Sequence, residues 1–210
     1  IEYCDGENHC PDGDDELLCD FRDCPKSCSC FVGSLSCKNT GQLIIIETKV
    51  KIIFKHLIIS FLPELTTKLL DLSGFESVII LFINTTNLKW ICMEDNHKQI
   101  QFQEMKNLYR TTITLTQITV LSAYCFGNLQ TLKSLNLSQN EIVKLVPFTF
   151  SGLGELYFLD LSDNRISQIP NNVFNGLLKI KTLNVRNNPI FGIEPNIYGT
   201  LPKQLSHIIT

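Results

Sequence analysis

The chain has 210 residues, 44% of them hydrophobic, with a formal net charge of −3 and nine cysteines. That length can bury a sizeable core, and the slight negative charge implies no general attraction to nucleic acid or anionic membrane. The longest apolar run, VIILFI (Val78–Ile83), is strand-sized and far short of the roughly 18 residues that a membrane span needs.

Seven of the nine cysteines fall between Cys4 and Cys37. Such density reads as small disulfide-stapled modules in an oxidising compartment. The chain opens with Ile and carries no signal-peptide pattern, so it is expected to be a fragment of a longer exported protein.

CDGENHCPDGDDELLC (Cys4–Cys19) holds six carboxylates (Asp5, Glu7, Asp12, Asp14, Asp15 and Glu16) and no Lys or Arg. Like charges this close repel, and so polar a loop has little to bury. A hard cation with several oxygen ligands, most often calcium, resolves both difficulties. The helix-loop-helix calcium spacing is absent. The spacing C-D-G-x-x-x-C-x-D-G-x-D-E-x-x-C closely resembles the C-terminal half of an LDL-receptor class A module. The resemblance implies a calcium cage in place of a core, with side-chain oxygens from Asp5, Asp15 and Glu16 and backbone carbonyls from Glu2 and Glu7. It also implies a Cys4–Cys19 bridge, with Cys10 lacking its family partner. His9 stands where the family has a liganding Asp, and three N-terminal cysteines of the module are missing, so poor calcium binding is expected. The plainer reading is a solvated acidic linker.

CPKSCSCFVGSLSC follows, with Cys24, Cys28, Cys30 and Cys37. The paired C-x2-C knuckles of structural zinc sites are absent, so two disulfides are expected, in any of three pairings. The spacing, with Pro25 after the first cysteine, resembles the N-terminal cap of extracellular leucine-rich-repeat proteins. That resemblance implies Cys24–Cys30 and Cys28–Cys37 bridges, in a cap that covers the open end of the first repeat.

The stretch from Cys37 to Leu65, including QLIIIETKVKIIFKHLIISFLPEL, is longer than such caps allow. It reads either as extra strands, given the partial alternation of Val50, Ile52 and Phe54, or as sequence retained from an unspliced gene model. Left exposed, it would be an aggregation hazard.

Beyond it the chain repeats. Asn140, Asn164 and Asn188 are 24 residues apart, as are Ile118, Ile142, Ile166 and Ile190. Phe126, Phe150, Phe174 and Tyr198 keep the same step, and so do Leu129, Leu153, Leu177 and Leu201. The pattern L-x-x-L-x-L-x-x-N-x-I resembles the leucine-rich repeat over at least Leu108–Leu205. The expected fold is an α/β-type solenoid: short parallel strands, an irregular or short-helical convex side, and a partial LDL-receptor class A module at the N-terminus. Upstream repeats are placed at Leu65–Phe75, Leu88–Asn96 and Leu108–Ile118. The implied organisation is a half-module over 1–20, a cysteine-rich cap over 21–40, an atypical apolar insertion over 41–64, and repeats over 65–210.

Catalysis is not expected. His9, His56, His97 and His207 lie in different modules, and no nucleophile, base and orienting group fall at interpretable spacing. By repeat register Cys92 sits on an exposed strand position and Cys125 beside Phe126 on the convex side. A bridge between them is therefore not expected, and Cys125 reads as a small buried hydrophobe.

Binding is expected on the concave strand face, at Trp90, Glu94, Asp95, Arg110, Phe158, Asp160, Asp163 and Arg186. Aromatics flanked by carboxylates suit a peptide or protein partner with basic and aromatic side chains, although LDLSDN is also a common repeat filling. Asn84 (NTT) and Asn136 (NLS) fit the glycosylation sequon.

The order of class A module, cap and repeats resembles the ectodomain of relaxin-type peptide hormone receptors and a related mollusc receptor, both in the rhodopsin-like G-protein-coupled class. The resemblance implies an extracellular, membrane-tethered region that captures a peptide or protein hormone and signals through a seven-helix domain to a heterotrimeric G protein. Nucleic acid is not an expected partner. The rivals are a secreted or matrix leucine-rich-repeat adhesion protein and, more remotely, a lipoprotein-type endocytic receptor.

Overall fold

The computed structural model describes residues 28–31, 34–38, 55–60, 77–84, 88, 91, 102, 105–193 and 205–210. Nine strands form one sheet: β1 (Cys28–Phe31), β2 (Ser34–Lys38), β3 (His56–Ser60), β4 (Ile80–Asn84), β5 (Arg110–Thr114), β7 (Ser134–Asn136), β9 (Phe158–Asp160), β11 (Thr182–Asn184) and β13 (His207–Ile209), neighbouring one another in that order. β1 and β2 are an antiparallel hairpin, and every later pairing is parallel. Four two-residue strands return the chain on the far side of the coils. They are β6 (Val120–Leu121) paired with β8 (Lys144–Leu145), and β10 (Gln168–Ile169) paired with β12 (Gly192–Ile193). Parallel neighbours need a long return path, so each coil climbs one strand per turn and the whole is a parallel-strand solenoid.

The repeat columns are its core. Leu132, Leu135, Leu137, Ile142, Leu145, Phe150, Leu153 and Leu156 are all buried, and their counterparts one coil on are buried as well. No coil encloses its own apolar side chains, so burial comes from the coils above and below. Each buried Leu or Phe contributes about 2 kcal/mol relative to exposure. Phe126 and Phe150 stack with ring centroids 6.1 Å apart, and Phe150 and Phe174 at 6.0 Å. Phe102 extends the column at 5.8 Å from Phe126.

The asparagine column satisfies backbone groups where the strands end. Asn164 donates through Nδ2 to the carbonyls of Leu161 (3.0 Å) and Leu137 (2.9 Å), while its Oδ1 accepts from the Ile142 N–H at 3.0 Å. Asn188 repeats this with Val185, Leu161 and Ile166. These side chains thereby turn the chain and satisfy backbone groups that the strand ends leave without partners.

Upstream, the strands fall elsewhere than the sequence register placed them. β4 pairs directly with β5, Leu81 beside Thr111, so no strand of a Leu88–Asn96 repeat lies between them. Leu88 instead occupies the isoleucine column, because its carbonyl accepts the Gln117 N–H at 2.9 Å as Ile142's accepts that of Arg165. The coil from β4 to β5 is 30 residues long, against 24 from β5 to β7. Its strand is VIILFI itself. Ile80 and Phe82 flank the buried Leu81 and Ile83, which hid the alternation. The stretch set apart as an insertion supplies β3, with Leu57 and Ile59 buried and in register with Leu81 and Ile83. A Leu65–Phe75 repeat lies outside the described residues.

Cys28 is disulfide-bonded, and Cys37 stands opposite it across the hairpin. Cys125 is disulfide-bonded as well, which corrects its reading as a plain buried hydrophobe. Phe126 takes the interior place at this turn and leaves Cys125 half-buried on the flank, packed against the core. Cys92, Cys4, Cys10, Cys19 and Cys24 lie outside the described residues.

Candidate functional site

Strand register fixes which side chains share the open face of the sheet. Along each strand alternate residues point away from the core, and two rows result. One runs Ser34, His56, Ile80, Arg110, Ser134, Phe158, Thr182 and His207; the other runs Ser36, Ile58, Phe82, Thr112, Asn136, Asp160, Asn184 and Ile209. Arg110 and Phe158, both expected at the site, therefore lie in one row with Ser134 between them, roughly 10 Å apart by strand spacing. Trp90, Glu94 and Asp95 lie outside the described residues.

The described acidic residues named for the site are engaged in local hydrogen bonds. Asp160 closes a local turn: one carboxylate oxygen accepts from the Ser162 N–H at 2.9 Å and the Ser162 hydroxyl at 2.6 Å. Asn136 and Asn184 do the same for the N–H groups of Ser138 and Arg186. Asp163 is exposed, with its backbone in the left-handed region at φ 54°, and accepts from Asn187 Nδ2 at 2.7 Å. Arg186 is exposed beside it in the next coil. Asp160, Asp163 and Arg186 thus gather at the C-terminal ends of the strands, apart from Arg110 at a strand start.

Two features of the face escaped the sequence reading. Ile58, Ile80 and Phe82 are half-buried neighbours on β3 and β4 and form an apolar patch beside Arg110. A second row runs just before the strands, through Tyr109, Lys133, Tyr157 and Lys181. Each backbone N–H of this row donates to the preceding member's carbonyl at 2.9 Å. The Lys133 and Lys181 ammonium groups each lie 5.2 Å from the centre of the Tyr157 ring. Glu155 pairs with both Lys133 and Lys179. The hydrogen bond from Lys133, then that from Lys179, hold its carboxyl below the usual range, and the hydrogen bond to Glu155 raises Lys179. The 24-residue spacing of this row was legible in the sequence as another column.

The proposed calcium ligands Glu2, Asp5, Glu7, Asp15 and Glu16 lie outside the described residues. Among the described residues no cluster of His, Cys, Asp and Glu is grouped to hold a metal, and no helix is long and apolar enough to cross a membrane. Asn84 ends β4, half-buried on the same face as Ile80 and Phe82, and Asn136 is half-buried on β7.

Residues 106–166 match the family model of the leucine rich repeat. No curated protein sequence is similar to the chain. Among solved structures, the TLR13–ssRNA13 complex is 28% identical with a TM-score of 0.52, over 65% of this chain and 20% of that one. The Drosophila Toll–Spatzle complex is 20% identical with a TM-score of 0.60, over 78% of this chain and 21% of that one. The chain spans about a fifth of the length of the structures it resembles. The parallel stack is a solenoid that carries leucine-rich repeats over residues 106–166 and is similar in fold to the Toll and TLR13 structures.

Proposed function

We propose that this chain is the ligand-capturing part of an extracellular receptor, taking a peptide or protein ligand along the open face of its sheet. The observation that carries this is the row in which Arg110 and Phe158 stand two coils apart, on either side of Ser134, with the apolar patch of Ile58, Ile80 and Phe82 beside Arg110. An unbroken sheet face with aromatic and Arg anchors and an apolar centre suits a polypeptide partner. The disulfides at Cys28 and Cys125 support an oxidising, extracellular setting. In this reading the chain has no catalytic role.

The finer assignment is to the rhodopsin-like G-protein-coupled class, with a heterotrimeric G protein as intracellular partner. It rests on the order of acidic cysteine-rich stretch, cap and repeats, and it includes weak calcium binding at Asp5, Asp15 and Glu16. The likeness to TLR13 and to Toll, one seen with RNA and the other with Spatzle, favours a second reading, a Toll-type ectodomain. Sequencing the parent transcript beyond the codon for Thr210 separates them. Seven membrane-length apolar segments support the first, a single one supports the second, and a stop codon directly after a cysteine-rich cap overturns both in favour of a secreted binding protein.

A further inference from the structure

The charge of the solenoid is unevenly placed. Residues 105–193 carry eight Lys and Arg against four Asp and Glu, within a chain whose net charge is −3. The surplus gathers at one edge. Lys106, Arg110, Lys133, Lys179 and Lys181 lie at or just before the strand starts, with Glu155 as the one anion among them in the described residues, paired with Lys133 and Lys179. Towards the other edge lie Glu141, Asp160, Asp163, Arg165 and Arg186, and Arg165 is paired with Glu141 at 3.2 Å. The hydrogen-bonded row from Tyr109 to Lys181 makes the basic edge straight, with one residue per coil and a step of roughly 4.8 Å.

We propose that this edge binds a linear sulfated polysaccharide laid along the solenoid axis. The proposal rests on the extracellular placement argued above and adds a second ligand class to it. Four of the five cations are lysines, which are hydrated point charges without the flat fork that recognises a carboxylate. Single exposed ion pairs are weak, so an occupant must meet several in succession, and a chain with regularly repeated, permanently ionised groups does so. Tyr109, 51% exposed, offers a flat apolar face beside Arg110 for a sugar ring. A single-stranded nucleic acid fits less well, because it needs successive bare rings for its bases. Here Tyr157 is flanked by the ammonium groups of Lys133 and Lys181.

The test is calorimetric titration of the 210-residue chain with a heparin octasaccharide at physiological salt. The comparison ligands are the unsulfated backbone of equal length, a poly-glutamate peptide and an oligothymidine. Saturable binding of the sulfated octasaccharide alone is expected. A double Arg110→Ser, Lys181→Ser variant is expected to bind it about tenfold more weakly, and Arg165→Ser at the opposite edge to leave affinity unchanged. Both substitutions are at exposed positions, and an unchanged melting temperature establishes that the variants fold. The proposal is overturned by no binding, by equal or tighter binding of any comparison ligand, or by a double variant with the parent's affinity. Failure here leaves the receptor reading standing, and binding here survives a transcript that encodes no receptor.

Discussion

Thr116 stands in the asparagine column, and Asn140 of the next coil holds it there: the Asn140 Oδ1 accepts from the Thr116 N–H at 2.9 Å and from its hydroxyl at 2.6 Å. The same hydroxyl lies 3.3 Å from the Ile118 N–H, which donates to it. A threonine can therefore stand in for asparagine where the neighbouring coil supplies an amide, but it reaches fewer backbone carbonyls.

Replacing Asn164 by Ala strands the carbonyls of Leu137 and Leu161 and the N–H of Ile142 in the core. A loss of about 3 kcal/mol is expected. Urea unfolding of Asn164→Ala beside Asn164→Thr checks it, with the threonine variant falling between the alanine variant and the parent.

Gly152 has φ +93°, and a Cβ there would come within 2.6 Å of the Gly127 carbonyl oxygen. Both the backbone conformation and the approach of two coils forbid a side chain. Gly152→Ala should cost about 2 kcal/mol or more. A melting temperature within a degree or so of the parent would show that the coils can separate there without penalty.

Thr111 sits in a leucine column, fully buried, and its hydroxyl has no hydrogen-bond partner. Valine keeps the shape and removes the unsatisfied oxygen. Thr111→Val is expected to stabilise the chain by about 1 kcal/mol, read as a rise in the denaturation midpoint at unchanged slope.

Glu155 and Lys179 set opposite pH limits on their shared ion pair. The Glu155 carboxyl is held below its ordinary 4.5, so its contribution is complete above that value and is lost as pH falls through the lowered one. Lys179 is raised above its ordinary 10.5, so its contribution is complete below that value and is lost as pH rises through the raised one. An NMR titration should place the Glu155 midpoint below 4.5 in the parent and at a higher pH in a Lys133→Met, Lys179→Met double variant. Identical midpoints would remove the ion pair as its cause.

Cys125 should appear as cystine. Peptide mapping without reductant is expected to find its fragment covalently joined to a second cysteine-containing fragment, the two separating on reduction. A freely alkylated Cys125 in the folded, unreduced chain would contradict the structure.

Much of the solenoid was legible because four columns of the sequence recur every 24 residues, and stacking makes each column one line of contacts. Asn140, Ile142, Phe150 and Leu153 announced their places in this way. The first coils did not, because Ile79, Ile80 and Phe82 are apolar on the open side as well and the coil after β4 breaks the period. The open face was legible in part. Arg110, Phe158 and Asp160 lie on the face where the register put them, while the engagement of Asp160 with the Ser162 turn was not legible, since a short acidic side chain at a strand end bonds its own backbone before it meets a partner. Of the basic edge only Arg110 was named from the sequence, because Lys133 and Lys181 fall at variable positions of the leucine pattern and Lys106 and Lys179 lie ahead of it.

The long coil between β4 and β5 has a consequence for how such a molecule can change. Leu88 takes the place that Ile118 has in the next coil and Phe102 stacks on Phe126, so the chain takes fourteen residues where the next coil takes eight, and the strands on either side still pair without a slip. Length added on the outer turn is not transmitted to the inner surface. Loops there can be lengthened, shortened or exchanged while the spacing of Arg110, Ser134 and Phe158 stays the same, so the two sides of one coil are free to diverge at different rates.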